Sequence, residues 1–565
     1  MMLARWLEYL AFLAIVVALA KPAGLYLARV FEGQPTWLDP VLRPVESLIY
    51  AVLGVRRGDE MSAGVYFCSF ALFSLLGALA LFALLMLQMA LPAGPADKYL
   101  TTPMTPDLAL NTAISFATTT TWQAYAGEST MRYLSQAVGL VSQNFLAGGA
   151  GLAVGVAFIR GLARTHSPTI GNFWVDLVRA VLWVLLPIAL VGGVILMWQG
   201  VPMNFAGYTQ AHTLEGPSQT IAQGPVAALE LIKNLGTNGG GFFNVNGAHP
   251  YENPTPLVGF LALLAIAVLP ASLTVTFGQM TGRPRAGWVL LGVMVALFVG
   301  GLAVCDQAEA ARPEHLAALH LVGGNMEGKE TRFGVADSVL TAVVTSNGAT
   351  GSYDAMHDSF EPLGVMVPLV NMLLGEIIFG GLGTGIYGIV MIALVAVFLG
   401  GLMIGRTPAY LGKRVTASET KLVALYMLLT PLVVMCLSAI ALVAKDGLAG
   451  IGTNPGPHGL TEVIYAYASS MANNGQTMAS LNANSLFYNA TTGVAMLAGR
   501  FGLAGLALAL AGRFAAQGRL ATTSGALPSD TVSFGVLVLA VVIIVGALNF
   551  FPALALGPVV EALQR

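Results

Sequence analysis

Residues 227–241 read AALELIKNLGTNGGG, a short, moderately apolar segment that ends in a cluster of Gly, Thr and Asn. It lies between two long apolar stretches centred near residues 190 and 267. A helix that crosses a bilayer needs about 20 apolar residues, whereas runs of about 10–14 are typical of segments that enter the membrane and return. The stretch therefore predicts a re-entrant helix followed by an irregular polar turn.

The same arrangement occurs four times along the chain. Each copy has a long apolar stretch, a short moderately apolar segment, a small polar cluster and a second long apolar stretch. The clusters are residues 118–123 (TTTTWQ), 236–241 (GTNGGG), 345–349 (TSNGA) and 472–475 (ANNG). A single Asn-Gly is most often a hairpin turn, but no alternating strands flank these sites. Four pore loops at matching places explain the repetition better.

The composition places the chain in a membrane. Of its 565 residues, 56% are hydrophobic and 10% are charged, and the mean hydropathy is +0.75. Soluble domains carry about 25% charged residues, so a soluble globular protein is excluded. A net charge of −2 without a basic patch also argues against a nucleic-acid partner. Because ten long apolar stretches follow one another, we predict an all-α polytopic membrane protein with ten transmembrane helices.

The loop charges predict which ends of these helices face the cytoplasm, because Lys and Arg concentrate in cytoplasmic loops. An N-terminus outside the cytoplasm places these later basic residues inside: Arg160, Arg164, Arg179, Arg283, Arg285, Arg406, Lys413, Arg414, Lys421, Arg513 and Arg519. It places the acidic stretch 305–361, the four longest loops and both termini outside. The first 20 residues also fit a signal peptide, but the basic residues after them favour a retained first helix.

The four polar clusters have the chemistry of a potassium filter. Irregular backbone is tolerated at membrane depth only where it is buried in protein or lines a watery cavity. A potassium filter replaces the water around the ion with backbone carbonyl oxygens, and Gly and Asn adopt the backbone angles that this requires. Calcium sites instead collect several carboxylates. The predicted K+ ligands are Thr119, Thr120, Thr121, Gln123, Thr237, Asn238, Gly239, Ser346, Asn347, Gly348, Asn473, Asn474 and Gly475.

Five motifs resemble a known family. They are GTNGGGFFN at 236–244, NMEGKETRFG at 325–334, GEIIFGGLGTG at 375–385, GRTPAYLG at 405–412 and ANNG at 472–475. Together they resemble the potassium-translocating A subunit (KdpA) family of the bacterial Kdp P-type ATPase complex, within the superfamily of potassium transporters. The resemblance runs from the first helix to the last. The first loop departs from it, since Thr119 and Thr121 stand where Asn is more usual.

The resemblance implies four covalently joined helix–pore-loop–helix repeats in a pseudo-fourfold arrangement, with one extra helix at each end. The expected boundaries are 1–30 for the N-terminal helix, 62–165, 172–281, 284–405 and 417–518 for the repeats, and 530–565 for the C-terminal helix. The second helix of the third repeat must be broken, because residues 363–404 are too long for one simple span and contain FGGLGTG.

The resemblance also implies a division of labour. This chain would be a non-catalytic subunit in the bacterial cytoplasmic (inner) membrane that selects K+ at an outward-facing filter. A P-type ATPase catalytic subunit would bind ATP and Mg2+, and small single-span subunits and membrane lipid would complete the complex. The sequence contains neither G-x-x-x-x-G-K-[ST] nor D-K-T-G. We therefore expect no ATP hydrolysis by this chain alone.

Two ionisable residues fall within apolar segments, where a central charge costs about 3 kcal/mol or more and usually marks an ion path. We expect Glu376 and Arg500 to face each other below the filter and to guide potassium toward the partner; a structural ion pair is the alternative. In related transporters a segment equivalent to the FGGLGTG break forms a gate. The resemblance thus implies that passive leakage is blocked by Gly380, Gly381, Gly383 and Gly385.

Three other interpretations fit parts of the sequence. A self-sufficient potassium channel or ion-coupled symporter would have the same four-repeat fold, and co-purification of an ATPase would distinguish it. An intramembrane protease would need a catalytic set, but no H-E-x-x-H motif occurs and no Ser/His pairing is visible. A structural scaffold would leave the four pore loops without a role.

Overall fold

The computed structural model describes residues 2–311, 323–403, 405, 408–520 and 528–564, so Arg406 of the predicted cytoplasmic loop lies outside the described residues. Its main helices are α1 (Met2–Glu32), α2 (Asp39–Leu53), α3 (Ala63–Met86), α4 (Pro106–Ala117), α5 (Ser135–Ala163), α6 (Phe173–Trp198), α7 (Val226–Leu235), α8 (Pro256–Met280), α9 (Pro284–Ala310), α10 (Gly334–Asn347), α11 (Pro362–Leu373), α12 (Thr384–Met403), α13 (Ala417–Val443), α14 (Pro457–Ala472), α15 (Leu486–Ala516) and α16 (Val532–Gln564).

The remaining regular structure is short. Single helical turns lie at Gln88–Ala90, Asp97–Tyr99, Gly127–Thr130, Asn246–Ala248, His357–Ser359 and Lys445–Leu448. Two antiparallel hairpins are formed by β1 (Thr209–His212) with β2 (Ser218–Ile221) and by β3 (Ala409–Tyr410) with β4 (Lys413–Arg414). Within the described ranges, ten helices are long and apolar enough to cross a membrane. This confirms the prediction of an all-α polytopic membrane protein with ten transmembrane helices.

Several spans begin at a residue whose side chain satisfies the free N–H groups of the first helical turn. Ser62, Asn172, Thr255, Ser485 and Thr531 each accept a hydrogen bond from a backbone N–H two or three residues later. Such capping is worth about 1 kcal/mol per helix. Inside a bilayer the remaining backbone groups must pair within the helix, so these polar residues mark where the apolar runs become spans.

The order long helix, short helix, loop, long helix occurs four times, and the four units form a closed ring. The units are α3–α4–α5, α6–α7–α8, α9–α10–α11–α12 and α13–α14–α15. Neighbouring units pack through α5 on α6, α8 on α9, α12 on α13 and α15 on α5. Outside the ring, α1 packs on α8, and α16 packs on α9 and α12. In the third unit the second helix is interrupted by residues 374–383, between α11 and α12.

Alternate connections gather at the same end of the ring, which we call the short-loop end. There Met61 N–H donates to Gly171 O at 2.7 Å and Leu520 N–H donates to Gly412 O at 2.7 Å. The buried ammonium of Lys413 lies between the last turns of α5 and α15 and donates to Leu162 O and Phe514 O, each at 2.8 Å. The four short helices α4, α7, α10 and α14 belong to the connections at the opposite, long-loop end.

Candidate functional site

The loops that follow the four short helices share one backbone conformation. Each loop contains three consecutive residues of which the first and the third have a positive φ, whereas the central one does not. The positive-φ pairs are Thr119 (62°) and Thr121 (47°), Thr237 (49°) and Gly239 (80°), Ala349 (51°) and Gly351 (70°), and Asn473 (59°) and Gly475 (95°). Alternation of left-handed and ordinary conformations lets successive carbonyls turn toward one side, as a ring of carbonyl ligands requires.

One hydrogen bond holds every loop to its own short helix. The central residue of each loop donates its backbone N–H to the carbonyl oxygen five residues earlier. These bonds are Thr120 to Ser115 (3.0 Å), Asn238 to Lys233 (2.9 Å), Thr350 to Thr345 (3.3 Å) and Asn474 to Ser469 (2.9 Å). The repetition of both the φ pattern and this bond makes the four loops structural equivalents.

The loops contact one another in chain order and close a ring. Thr121 Oγ1 of the first loop donates to Asn238 O of the second. In each of the other three loops, the second residue of the positive-φ pair is a glycine. A Cβ atom on it would overlap a carbonyl oxygen of the neighbouring loop: Gly239 against Thr350, Gly351 against Asn474, and Gly475 against Thr120 of the first loop. Only glycine allows backbones to approach this closely with positive φ.

In the third unit, the backbone that matches the other loops lies just after the residues that we predict as ligands. Ser346 and Asn347 lie in the last turn of α10, and Gly348 is the residue that ends this helix. The backbone that matches the other loops belongs to residues 349–351 instead. The Asn-Gly dipeptide on which the prediction rests therefore precedes the matching backbone. The signal that was missed is a second glycine, Gly351, three residues further on.

Several predicted ligands use their side chains to join the loops. Gln123 Nε2 donates to Gly241 O at 3.0 Å, and Gln123 Oε1 accepts from Gly241 N–H at 2.8 Å, so this residue connects loops one and two. Asn238 Nδ2 donates to Asn144 O of α5 at 2.9 Å, and Asn473 Nδ2 donates to Thr120 Oγ1 at 3.0 Å. Because these side chains are engaged in contacts between loops and helices, the ring itself is formed by backbone atoms.

A cavity of about 310 Å³ opens onto the ring from the long-loop end. Its lining includes Thr121, Gly240, Gly351 and Gly475 from the four loops, together with Asn and Tyr side chains. The lining residues are all neutral. A polar, uncharged mouth of this kind can hold a hydrated cation before its water is replaced.

The glycine-rich break in the third unit lies against the other side of the ring. Leu382 N–H donates to Thr237 Oγ1 at 2.9 Å, and a Cβ on Gly381 would lie 2.8 Å from the Ala349 Cβ. Gly383 lies against the carbonyl oxygen of Gly151 in α5, whereas the second loop lies against Gly148 of the same helix. Gly151 is one helical turn closer to the short-loop end than Gly148. Residues 376–383 are buried, so this segment fills the space behind the ring.

The two ends of the break are joined tightly. A Cβ on Gly385 would lie only 2.7 Å from the Cα atom of Gly380, and a Cβ on Gly380 would overlap Glu376 O. The chain therefore turns back on itself between α11 and α12, and larger residues would force the turn open.

Glu376 and Arg500 have separate partners. Glu376 is fully buried, and its Oε1 accepts from Asn474 Nδ2 at 2.7 Å, whereas its Oε2 has no hydrogen-bond partner among the described residues. Arg500 lies in a π-helical turn of α15 (Ala498–Leu503) and donates to Ala147 O at 2.9 Å. In the described ranges no ion pair joins the two residues. The expected direct pairing is thus replaced by contacts to two other units.

Comparisons with known proteins cover nearly the whole chain. The family described as potassium-transporting ATPase A subunit matches residues 10–563. A relative from Acidobacterium capsulatum is 49% identical, covering 99% of this chain and 98% of its own length. Relatives from Methylobacterium nodulans (50% identical, 100% and 98%) and Rhodopseudomonas palustris (49%, 98% and 97%) are similar to the same extent. All three are named potassium-transporting ATPase potassium-binding subunit, and the matched residues include all four loops.

Proposed function

Because the chain belongs to the potassium-transporting ATPase A subunit family, we propose that its ring of four loops is the filter that selects K+ for ATP-driven uptake. The observation that carries the proposal is the repeated backbone: two positive-φ residues around a central residue, in four loops that touch in order. Neutral carbonyl ligands in a fixed ring suit a large monovalent cation.

The proposed ligands are backbone carbonyls of residues 119–121, 237–239, 349–351 and 473–475. Residues 349–351 take the place of Ser346, Asn347 and Gly348, which support the loop from α10. Gln123 contributes by fixing the second loop at Gly241. The short helices α4, α7, α10 and α14 end at these loops, and the carbonyl end of a helix carries a partial negative charge that attracts a cation.

The path beyond the filter is the second part of the proposal. The segment around Gly380–Gly385 occupies the space behind the ring, so it acts as the gate that stops K+ from crossing like an ion in an open channel. Glu376 contacts the filter through Asn474, and Arg500 lies on α15 near the same side. We assign both to the route by which K+ leaves for a partner subunit.

The remaining elements of the proposal concern the complex. The long-loop end faces outward from the bacterial inner membrane, with both termini on that side, as the distribution of Lys and Arg favours. A P-type ATPase subunit binds ATP and Mg2+, and small single-span subunits and lipid complete the assembly. The names of these relatives describe one subunit of an ATPase, which agrees with this arrangement.

The test is K+-stimulated ATPase activity of the purified complex with Gly239→Ser. Titrations with K+, Rb+ and Na+ should show a large loss of K+ affinity or of discrimination, because the new side chain overlaps Thr350 O. Gly282→Ser is the matched control: its φ of 71° is similar, but no atom of the described part of the chain lies within 4 Å of an added Cβ. Unchanged affinity and selectivity in an assembled Gly239→Ser complex would show that the ring is not the filter.

A further inference from the structure

One position breaks the fourfold equivalence of the filter. The residue whose carbonyl holds the central residue of each loop is Ser115 in the first loop, Thr345 in the third and Ser469 in the fourth. The second loop has Lys233 at this position. Three of these supporting residues thus carry a small hydroxyl side chain, and the fourth carries a fully buried ammonium group.

Lys233 is the centre of a buried charge cluster behind the second loop. Its Nζ lies 2.8 Å from Glu230 Oε2 and also contacts Glu252 Oε2. Glu230 lies one turn earlier in α7, and Glu252 lies in the segment that returns from the loop. The three side chains are 0–4% exposed. A buried charge without partners is strongly destabilising, so each member depends on the others.

The cluster contacts both ends of the second loop. At the start of the loop, Lys233 O accepts the backbone N–H groups of Asn238 (2.9 Å) and Gly239 (2.8 Å). At its end, Glu252 Oε1 accepts the backbone N–H of Phe243 at 2.8 Å. The ion pair between Lys233 and Glu252 therefore connects the segment that enters the second loop with the segment that leaves it. We call these two segments the legs of the loop.

We propose that Glu230, Lys233 and Glu252 are positioning residues that set the ion selectivity of the filter. They fix the separation of the two legs of the second loop and hence the place of the Asn238 carbonyl in the ring. The second loop contacts the third loop through Gly239 and the break through Thr237. The inference deepens the proposed function and rests on it.

A second buried ion pair provides the matched control. Glu309 Oε2 lies 2.8 Å from Lys329 Nζ, and both side chains are 0% exposed. Glu309 Oε1 accepts from the backbone N–H of Glu361 at 2.7 Å. This pair thus fastens the chain after α9 in the same manner, but among the described residues neither partner hydrogen-bonds to a filter loop. A purely stabilising role of buried ion pairs would make both sites respond alike.

The experiment compares Glu252→Gln, Glu230→Gln and Lys233→Met with Glu309→Gln in the purified complex. The measurements are the K+ concentration for half-maximal ATPase activity, the ratio of this value between K+ and Rb+, and the Tm. We expect Glu252→Gln to raise the half-saturating K+ concentration about tenfold, as loss of a second-sphere partner commonly does, and to reduce discrimination against Rb+. Glu230→Gln keeps the Lys233–Glu252 pair and should give a smaller change in the same direction.

The control should lower the Tm without altering the K+-to-Rb+ ratio. If all assembled variants of the cluster behave like Glu309→Gln, the inference is wrong. Glu230→Gln serves as the deciding variant should Lys233→Met fail to assemble. The outcome is separable from that of the filter itself: if Gly239→Ser abolishes K+ discrimination while the cluster variants keep it, the proposed function stands and only the positioning role fails.

Discussion

Glu376 Oε1 accepts a hydrogen bond of 2.7 Å from Asn474 Nδ2, so a buried acid at the start of the glycine-rich break contacts the fourth loop directly. The same amide also donates to Thr345 O at 3.0 Å. Asn474 thereby connects the central position of one loop with the helix of another and with the segment behind the ring. A movement of the break would therefore displace Asn474 in the fourth loop.

Two replacements of Glu376 should distinguish the role of its hydrogen bond to Asn474 from the role of its acidic group. Glu376→Ala leaves one N–H of the buried Asn474 amide without its acceptor, at a cost of about 1–3 kcal/mol, and we expect about a tenfold or greater loss of apparent K+ affinity together with weaker coupling of ATPase activity to transport. Glu376→Gln keeps an acceptor for Asn474 and should retain affinity while still impairing transport. Uptake of Rb+ per ATP hydrolysed in proteoliposomes measures the coupling. Wild-type coupling in both variants would remove Glu376 from the ion path.

The shifted assignment in the third loop predicts a specific effect of Gly351→Ala. An added Cβ would overlap Asn474 O at a residue whose φ is 70°, so K+ affinity should fall by at least about tenfold, or ~1.4 kcal/mol. Gly334→Ala in the same unit has a φ of 62°, and within the described ranges no atom lies within 4 Å of the added carbon. We expect near-normal affinity for this control in K+ titrations of ATPase activity. Equal affinities would argue that residues 349–351 are not part of the filter.

Shortening the break should open a passive path for K+. Deletion of Gly381 and Leu382 removes the bond from Leu382 N–H to Thr237 Oγ1 and the packing against Ala349. We expect passive Rb+ flux without ATP to rise severalfold in proteoliposomes. Deletion of Glu215 and Gly216 from the exposed β1–β2 turn is the control of equal length. A flux equal to that of the control would mean that the break does not block the pore.

The contact of His458 with two acids should make stability depend on pH. His458 Nε2 lies 3.0 Å from Asp358 Oδ1 and Nδ1 lies 3.0 Å from Glu561 Oε1. The hydrogen bonds to Asp358 and Glu561 raise the pKa of His458 to about 9. Because this pKa is raised above its usual value of 6.5, the stabilisation is complete below about pH 6.5 and is lost as pH rises through about 9.

The measurement is the Tm of the wild type and of His458→Gln at pH 7 and pH 10. The neighbouring groups are Asp358, Glu561 and Glu462, all acidic, so a protonated ring is the favoured form. We expect the wild type to be more stable than the variant by about 1–2 kcal/mol at pH 7, a value reduced for partial exposure, and the difference to vanish at pH 10. A difference that persists at pH 10 would contradict this role of the charge.

Lys413 should be essential for the stability of the short-loop end. Its ammonium lies within hydrogen-bond distance of Gly161 O, Leu162 O, Arg164 O and Phe514 O, carbonyls at the ends of α5 and α15, which share its three N–H donors. Lys413→Met leaves buried acceptors without a donor, and we expect a loss of about 3 kcal/mol, seen as a lower Tm. The exposed Lys421 gives the control, Lys421→Met, with a change within about 0.5 kcal/mol. Similar Tm values for the two variants would show that Lys413 is dispensable.

The sequence by itself determined the ten spans, the four polar clusters and the family. Hydropathy over about 20 residues decides which segments can enter a bilayer, and that property is local. The β-turn preference of Asn-Gly is local as well, and it places the predicted third-loop ligands at Ser346, Asn347 and Gly348. The backbone equivalence of residues 349–351 instead depends on a bond to the carbonyl five positions earlier and on contact with Asn474, 123 residues away from Gly351 in the chain.

Only the tertiary structure decided which loops touch, where the break lies and which charges share a partner. Lys233 meets Glu252 because the loop returns along α7, and Glu376 meets Asn474 because the third and fourth units are neighbours in the ring. The hydrophobic periodicity of the sequence does not predict these pairs. A buried charge without a partner is strongly destabilising, but any nearby polar group can serve as that partner. The identity of that partner is fixed when helices distant in the chain pack together.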